Sequence, residues 1–310
     1  MVVTQGETHR DSLTYVPSFT EQDIVLDDKY EYKDSLTAVL GYGAFGVVYK
    51  GINRSNSTNV AIKKVPRVNV KENELKVIRA LKSPYLVGVL DICTLDDLTC
   101  CLVMECCTCD LEYHIQHVST QGRLSDQNLR LIIDNLARGY KALYELKIVH
   151  RDLKPQNILV TYEGCSKQLA TARITDFGIA RTLDDMENSE LCNVAGTFFY
   201  MAPEVGANLV KTCNYDSKID MWSIGVLLYQ CLTGQIPFNE CSLCKLFLYT
   251  ACDNFDAYDP PELPETTNVQ VANIIHALLE IDYHRRCTPI EFYKQAIEYS
   301  EQQQVSAVVC

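Results

Sequence analysis

The sequence lacks any run of about 20 consecutive apolar residues, the length that an α-helix needs to cross a bilayer. It begins MVVTQGETHRDSLTY, which has no apolar core of the kind found in secretory signals. Lipid-attachment motifs are missing too, because Val2 stands where N-myristoylation requires glycine and Cys310, as the last residue, leaves no prenylation box. These absences argue against membrane insertion, and we expect a cytoplasmic protein with access to the nucleus.

An excess of basic residues is also absent. The 310 residues include 28 Lys and Arg against 40 Asp and Glu, which gives a net charge of −12. A surface that binds nucleic acid neutralises phosphates and is therefore basic, so we expect no nucleic acid among the partners. The length suggests about two compact units.

Cysteine, by contrast, is abundant, with 15 residues. Cys241 and Cys244 form a CxxC pair, but no second CxxC or HxxxH completes the ligand set of a zinc site. In a reducing compartment, free cysteine behaves mostly as a small apolar residue. We therefore expect thiols that serve packing, including Cys106 and Cys107.

The beginning and end of the chain are predicted to lie outside the compact units. Residues 1–31 are mostly polar and predict a flexible N-terminal arm, with the apolar run 24–26 as its only anchor. Residues 298–310 predict a short C-terminal tail.

Between these ends, a strand-rich part precedes a helix-rich part. Strand-like patterns over residues 35–65, 86–93 and 100–105 predict a sheet. Apolar residues at helical spacing from 129 to 143, and a nearly all-apolar run over 219–232, predict one surface helix and one buried helix. The seam, near residues 105–110, is where we expect a ligand cleft.

The stretch GYGAFGVV lies between two predicted strands and contains Gly41, Gly43 and Gly46. Such glycines let the backbone lie close over phosphates and offer N–H groups to them. A dinucleotide-binding loop has the same spacing, but there a helix opens at the third glycine, whereas here a strand continues through Val48. Lys63, in VAIK on the next strand, is placed to hold phosphate oxygens, although an exposed strand lysine is the plainer alternative.

A lysine in such a cleft needs an anion to orient it. Glu74 on a predicted helix over residues 72–82 is one candidate and Glu72 is another, and the spacing into the following apolar run favours Glu74. An ion pair at about 4 Å is worth roughly 4 kcal/mol before desolvation at intermediate dielectric. Only 11 residues separate Lys63 from Glu74 (74 − 63), so the connection between them must be short.

Residues 150–157 read HRDLKPQN, and each polar member suits one task in phosphoryl transfer. Asp152 can accept a proton from an attacking hydroxyl. Lys154 can neutralise charge on the moving phosphoryl group, and Asn157 can ligate a metal. Asp176, in DFG, supplies the hard carboxylate oxygen that Mg²⁺ prefers. Phosphoryl transfer depends largely on positioning and charge neutralisation, which this set provides.

The motifs GxGxxGxV, VAIK, HRDLKPQN, DFG and APE occur in the order in which the eukaryotic protein kinases carry them, and residues 32–297 resemble that family. The resemblance implies an α+β, bilobal fold. A small, mostly-β N-lobe would span about 32–105 and a larger, mostly-α C-lobe about 110–297, with the active site between them. It also implies ATP and Mg²⁺ as cofactors and protein substrates as partners, and it does not predict an oligomeric state.

The same resemblance implies roles for residues around the cleft. Met104 would be the gatekeeper, Glu105 and Cys107 would offer backbone groups to adenine, and Asp110 would bind the ribose. The adenine ring would lie between Val48, Ala61 and Leu159. Away from the nucleotide, the resemblance implies that Asp220 anchors the second lobe and that Glu204 of APE pairs with Arg286.

Lys154, together with Thr197 in GTFFYMAPE, is typical of kinases that phosphorylate Ser and Thr. Within the family, YDSKIDMWSIGVLLYQCLTGQIPF is most similar to the autophagy-initiating ULK kinases, with the IKK-related kinases second. Both have long C-terminal regions, so this chain is either a stand-alone kinase or a truncated one. A pseudokinase-like binding or scaffold module is the alternative function, and the presence of Lys63, Asp152 and Asp176 disfavours it.

Overall fold

A computed structural model describes residues 19–43, 46–69, 82–176, 181–182, 198–208 and 216–308. Their N-terminal part is a seven-stranded antiparallel sheet, in which the order is β1-β2-β4-β5-β7-β6 and β3 pairs with β4. The strands are β1 (Asp23–Leu26), β2 (Tyr30–Lys33), β3 (Val39–Gly43), β4 (Gly46–Asn53), β5 (Thr58–Pro66), β6 (Val89–Thr94) and β7 (Thr99–Glu105).

Side chains from one face of this sheet form a small core. The buried members are Leu26, Tyr30, Tyr32, Tyr49, Val60, Ile62, Cys93, Cys101 and Val103. The helix expected over residues 72–82 falls mostly on residues outside the described ranges.

The N-terminal arm expected over residues 1–31 is wrong for its last part, because residues 23–31 belong to the sheet. β1 pairs with β2, and Leu26 is only 2% exposed. The hairpin turn between the strands has left-handed backbone at Asp27 and Asp28, with the Lys29 N–H donating to Leu26 O at 3.0 Å. Aspartate tolerates this conformation, which matches the twist of a two-stranded hairpin.

The C-terminal part is mostly helical. Its helices are α1 (Leu111–Tyr113), which continues into a π-helical turn (His114–Val118), α2 (Asp126–Glu145), α3 (Pro203–Ala207), α4 (Lys218–Thr233), α5 (Glu240–Ala251), α6 (Val269–Leu278) and α7 (Pro289–Val308). Short strands lie on the side facing the sheet: β8 (Cys109–Asp110), β9 (Ile148–Val149), β10 (Ile158–Tyr162), β11 (Leu169–Ile174) and β12 (Arg181–Thr182). This arrangement is the two-lobed α+β fold expected from the sequence.

Helix α4 lies at the centre of the C-lobe, and it is the helix predicted to be buried on all sides. Its residues from Ile219 to Leu228 are all buried, including Trp222. The helix ends at Gly234, whose left-handed backbone lets its N–H donate to Gln230 O at 2.8 Å.

The tail expected over residues 298–310 is also wrong as far as residue 308, because α7 continues through it. Tyr299 is 5% exposed and belongs to the main core. Farther along, Gln270 Nε2 on α6 donates to Gln302 Oε1 at 2.7 Å. The predicted boundary at residue 297 therefore falls inside a packed helix.

Two backbone connections between the lobes lie in the described part of the chain. The chain passes from β7 into β8 through residues 106–108, where the Thr108 N–H donates to Val160 O at 3.0 Å. Separately, the segment 85–88 runs beside β11, with the Val87 N–H donating to Ile174 O at 2.9 Å and the Ile174 N–H to Tyr85 O at 3.0 Å. No helix in the described ranges is both long and apolar enough to span a membrane.

Candidate active site

Lys63 and Asp176 meet at the boundary between the lobes, although 113 residues separate them. Lys63 lies on β5 opposite Val48 of β4 and is 8% exposed. Its Nζ is 2.8 Å from Asp176 Oδ1. Asp176 follows β11 and has a left-handed backbone, with φ of 62°. Glu74, the predicted partner of Lys63, lies outside the described residues, so the Lys63–Glu74 pair stays a prediction.

The loop with the sequence HRDLKPQN brings three of its polar side chains together at Asp152. Lys154 Nζ is 2.8 Å from Asp152 Oδ2. Asn157 Nδ2 donates to Asp152 Oδ2 at 2.9 Å and to Asp152 O at 2.7 Å. A 3₁₀ turn, Pro155–Asn157, brings Asn157 back toward Asp152. The carboxylate is thus held in one orientation by an ammonium and an amide.

Asp220, at the start of α4, anchors the backbone of this loop through hydrogen bonds. Its carboxylate accepts the backbone N–H of His150 at 2.6 Å, the backbone N–H of Arg151 at 2.8 Å and the Tyr140 hydroxyl at 2.7 Å. Arg151 has a left-handed backbone, with φ of 70°, which this anchor stabilises. Burial raises the pKa of Asp220, and the bonds from its neighbours oppose that rise. The predicted anchoring role of Asp220 is confirmed.

His150 joins this loop to the segment that carries Asp176. Its Nε2–H donates to Thr175 O at 2.8 Å, and its Nδ1 accepts the Asp152 N–H at 3.3 Å. The Thr175 N–H in turn donates to Asn157 O at 3.0 Å. These bonds fix the backbone of Asp152 and of the residue before Asp176 relative to each other.

The glycines of the β3–β4 hairpin differ in the space around them. Gly43 pairs with Gly46 at the end of the β3–β4 hairpin. A Cβ on Gly46 would lie 1.7 Å from Lys64 O, so this glycine is needed for the close approach of β4 and β5. A Cβ on Gly41 would meet no atom within 4 Å, so space is open there. Gly46 therefore has a structural reason of its own, and the expected approach of these glycines to phosphates stays a prediction.

Residues expected around adenine lie at the end of the sheet and the start of the C-lobe. Ala61 pairs with Met104, and Leu159 pairs with Asp110. In the described residues no backbone carbonyl accepts the Cys107 N–H, and its expected contact with adenine stays a prediction. Asp110 Oδ1 accepts the Tyr113 N–H at 2.8 Å and so caps α1, a structural role beside the expected one at the ribose.

Glu105 is more constrained than the sequence suggested. Its N–H donates to Gly88 O at 3.1 Å, and its expected backbone contact with adenine stays a prediction. Its carboxylate accepts from Arg173 NH1 at 2.6 Å and from the Gly88 N–H at 3.2 Å. Sequence reasoning missed both Arg173 and Gly88, since no local pattern links residues so far apart in the chain.

The expected pair between Glu204 and Arg286 is confirmed. Two parallel bonds join the side chains, from NH1 to Oε1 at 2.6 Å and from NH2 to Oε2 at 2.9 Å, and both are fully buried. Arg286 also donates to Glu280 O at 2.8 Å and lies 5.1 Å from the ring centroid of Trp222. A buried bidentate pair with its other donors satisfied ties α3 to the loop before α7.

The chemistry of Asp176 and Asn157 fits a magnesium ion bound together with a nucleotide. Because Asn157 turns its amide nitrogen to Asp152, its carbonyl oxygen remains as a neutral hard ligand beside the Asp176 carboxylate. Within the described ranges, no three His, Cys, Asp or Glu side chains cluster as a self-contained metal site. Mg²⁺ commonly takes only one or two protein oxygens and completes its shell with phosphates and water.

Comparison with known proteins gives one consistent result. The family described as "Protein kinase domain" matches residues 35–298. The human serine/threonine-protein kinase ULK1 is 33% identical over 276 residues, which cover 86% of this chain. The Caenorhabditis elegans serine/threonine-protein kinase unc-51 is 37% identical over 228 residues, or 68% of the chain. The Dictyostelium discoideum serine/threonine-protein kinase atg1 is 30% identical over 266 residues, or 82% of the chain.

These relatives agree with the resemblance to ULK kinases seen in the sequence. The match spans only part of each, namely 25% of ULK1, 25% of unc-51 and 37% of atg1. The similarity therefore concerns one domain of each relative.

Proposed function

Because this chain belongs to the protein kinase family, we propose that it is an ATP-dependent protein serine/threonine kinase, which transfers the γ-phosphate of ATP to hydroxyls of protein substrates. One observation carries the proposal. Lys63 of the N-lobe contacts Asp176 of the C-lobe at 2.8 Å, beside a loop in which Asp152 is held by Lys154 and Asn157. A phosphoryl donor, a metal and an acceptor hydroxyl need these groups in one place.

Asp152 is proposed as the base that accepts the proton of the attacking hydroxyl. A positioned general base contributes roughly 10²–10⁴-fold to a rate. Asn157 holds the Asp152 carboxylate by one oxygen at 2.9 Å, and Lys154 Nζ lies 3.0 Å from the other. Lys154 thus lies where it can neutralise charge on the transferring group while it orients the base.

Lys63, Asp176 and Asn157 are proposed to receive the phosphates and Mg²⁺. Phosphate oxygens offer the Lys63 ammonium a second anion besides Asp176. Asp176 and Asn157 would hold Mg²⁺, which neutralises phosphate charge when bound. Val48, Ala61, Met104 and Leu159 are proposed to contact adenine, with the Cys107 N–H as a hydrogen-bond donor.

Lys154 and Thr197 are the basis for proposing selectivity for Ser and Thr acceptors. Thr197 lies outside the described residues. All three relatives named above are serine/threonine-protein kinases. We place the activity in the cytoplasm.

The test is transfer of labelled phosphate from ATP to a peptide library containing Ser, Thr or Tyr acceptors. Wild-type chain should label Ser and Thr peptides, and Asp152→Ala should lose transfer by at least about 10²-fold. Asp97→Asn, at an exposed position on the turn between β6 and β7, is the matched control and should retain wild-type transfer. Strong labelling of Tyr peptides would contradict the selectivity.

The alternative is a pseudokinase-like binding or scaffold module. Such a module would transfer no phosphate by way of Asp152, whether or not it binds nucleotide. Absence of transfer by wild-type chain from ATP and Mg²⁺ to every library member would favour that alternative.

A further inference from the structure

A three-part contact links the end of the N-lobe sheet to the C-lobe, and we call it the hinge clamp: Glu105, Gly88 and Arg173. Glu105 is the last residue of β7, and Arg173 lies on β11, three residues before Asp176. Glu105 Oε2 accepts from Arg173 NH1 at 2.6 Å and from the Gly88 N–H at 3.2 Å. The Glu105 N–H donates back to Gly88 O at 3.1 Å, so the two residues bond reciprocally.

The clamp extends an existing bridge between the lobes. The segment 85–88 already bonds to Ile174 through the Val87 and Ile174 N–H groups, at 2.9 and 3.0 Å. Arg173 adds a charge-assisted bond next to those two. Because such bonds are stronger than neutral ones, Arg173 strengthens this bridge between the lobes.

Gly88 is the residue that makes room for the carboxylate. A Cβ at this position would lie 3.2 Å from Glu105 Oε2 and 3.3 Å from its Cδ. Those distances are shorter than ordinary van der Waals contact, so a side chain at position 88 would push the carboxylate away from Arg173.

The ion pair uses only one end of the arginine. NH1 makes the bond, whereas Nε is buried without a hydrogen-bond partner in the described part of the chain. The pair is also partly open to solvent, with 41% of the Glu105 side chain and 22% of the Arg173 side chain exposed. A single point contact does not need the fork of a guanidinium, so a lysine can replace the arginine in function.

We propose that Glu105 and Arg173 are positioning residues that restrain the lobes in the closed arrangement in which Lys63 reaches Asp176. This inference rests on the proposed function, since the closed arrangement is the one that binds ATP. The bonds of the clamp described above join its own three residues, and none of the three is assigned to proton or phosphate transfer. Loss of the clamp therefore lowers nucleotide affinity and leaves the chemical step intact.

The first arm of the test needs no nucleotide. Hydrogen exchange of the Val87, Gly88 and Ile174 amides should accelerate in Arg173→Gln and return to wild-type values in Arg173→Lys. Arg123→Gln, an exposed arginine on the loop before α2, is the matched control and should leave these amides unchanged. Unaltered exchange in Arg173→Gln would overturn the proposal, whether or not the chain is a kinase.

The second arm measures transfer. In Arg173→Gln the KM for ATP should rise by about two- to fivefold, as expected for one partly exposed ion pair, while kcat does not fall. Arg173→Lys should restore the KM. Combining Glu105→Gln with Arg173→Gln should add little to either single change, because both remove the same contact. A fall in kcat with unchanged KM, or fully additive effects, would overturn the proposal.

The two arms separate this inference from the proposed function. If wild-type chain transfers no phosphate, the proposed function fails, and the exchange arm still decides whether the clamp restrains the lobes. Thermal unfolding of each variant is compared with wild type. A general loss of stability would accelerate exchange of core amides such as Ile132 as well, which contradicts a local restraint.

Discussion

At the scale of a single residue, Asp220 holds the backbone of the loop that carries Asp152. It is fully buried and accepts three hydrogen bonds, two of them from the backbone of the loop that carries Asp152. A buried donor that loses its acceptor costs about 1–3 kcal/mol. Because the loop also has left-handed backbone at Arg151, it depends on this anchor to keep its shape.

We therefore expect Asp220→Ala to lower the free energy of unfolding by about 2–5 kcal/mol and to abolish transfer. Asp220→Asn should be nearly as severe, since its NH₂ group would face an N–H donor. Asp216→Ala is the matched control, because Asp216 is exposed and accepts one backbone bond, from Lys218 at 2.7 Å. Denaturant unfolding checks the stabilities. Equal losses for Asp216→Ala and Asp220→Ala would contradict this account.

The reactivity of the thiols near the cleft depends on how deeply they are buried. Burial raises the pKa of Cys107 to about 11. At pH 7.5 its reactive thiolate is then less than about 0.1% of the total. Iodoacetamide should label Cys107 slowly, and the rate should keep rising with pH toward 11. Cys165, which is exposed, is the internal control and should react faster at neutral pH. Rapid labelling of Cys107 at pH 7 that ATP blocks would contradict this.

At the scale of elements, the sequence predicted those segments whose pattern is local. The all-apolar run over 219–232 became the buried α4, and the glycine-rich stretch became the β3–β4 hairpin. β1 was missed because its four residues gain their stability from pairing with β2 and from burying Leu26, neither of which is visible in so short a run. The Asp27–Asp28 pair was the available signal, since adjacent aspartates favour a tight turn.

In the candidate site, too, the sequence predicted residues with a recognisable local pattern and missed contacts between distant residues. Asp152, Asn157 and Asp176 could be singled out because chemistry restricts which residue types can do their work. The bond between Glu105 and Arg173 could not, because it joins residues 68 positions apart through the folding of the whole chain. Likewise, Asp110 turned out to cap a helix, a use that only the path of the backbone after it reveals.

Helix α7 carries a prediction of its own, because its last turns were expected to be a tail. Ending the chain after residue 297 would remove Tyr299, which is 5% exposed in the core, and should lower the free energy of unfolding by about 3 kcal/mol. Ending it after residue 302 keeps Tyr299 and Gln302 and should cost less than about 1 kcal/mol. Denaturant unfolding of the two truncations compares them directly. Similar losses for both would mean that the packing of Tyr299 is not what matters.

At the scale of the whole molecule, the two lobes contribute different chemistry to one cleft. The sheet supplies Lys63, and the helical lobe supplies Asp152 and Asp176 from separate segments that His150 ties together. Asp176 contacts the N-lobe through Lys63, whereas the Asp152 carboxylate is bonded within its own loop by Lys154 and Asn157. Under the proposed function, nucleotide binding would therefore depend on both lobes, and proton transfer on one.

This division predicts two distinct defects. Asp176→Asn should abolish turnover and weaken nucleotide binding in the presence of Mg²⁺, because it removes the carboxylate proposed to hold the metal. Asp152→Asn should bind nucleotide as wild type does and slow transfer by at least about 10²-fold, because only the base is lost. Isothermal calorimetry with ATP analogue and Mg²⁺, beside single-turnover transfer, separates binding from chemistry, with Asp97→Asn as the control. If the two variants lost the same nucleotide affinity, the metal and base roles could not be divided between Asp176 and Asp152 in this way.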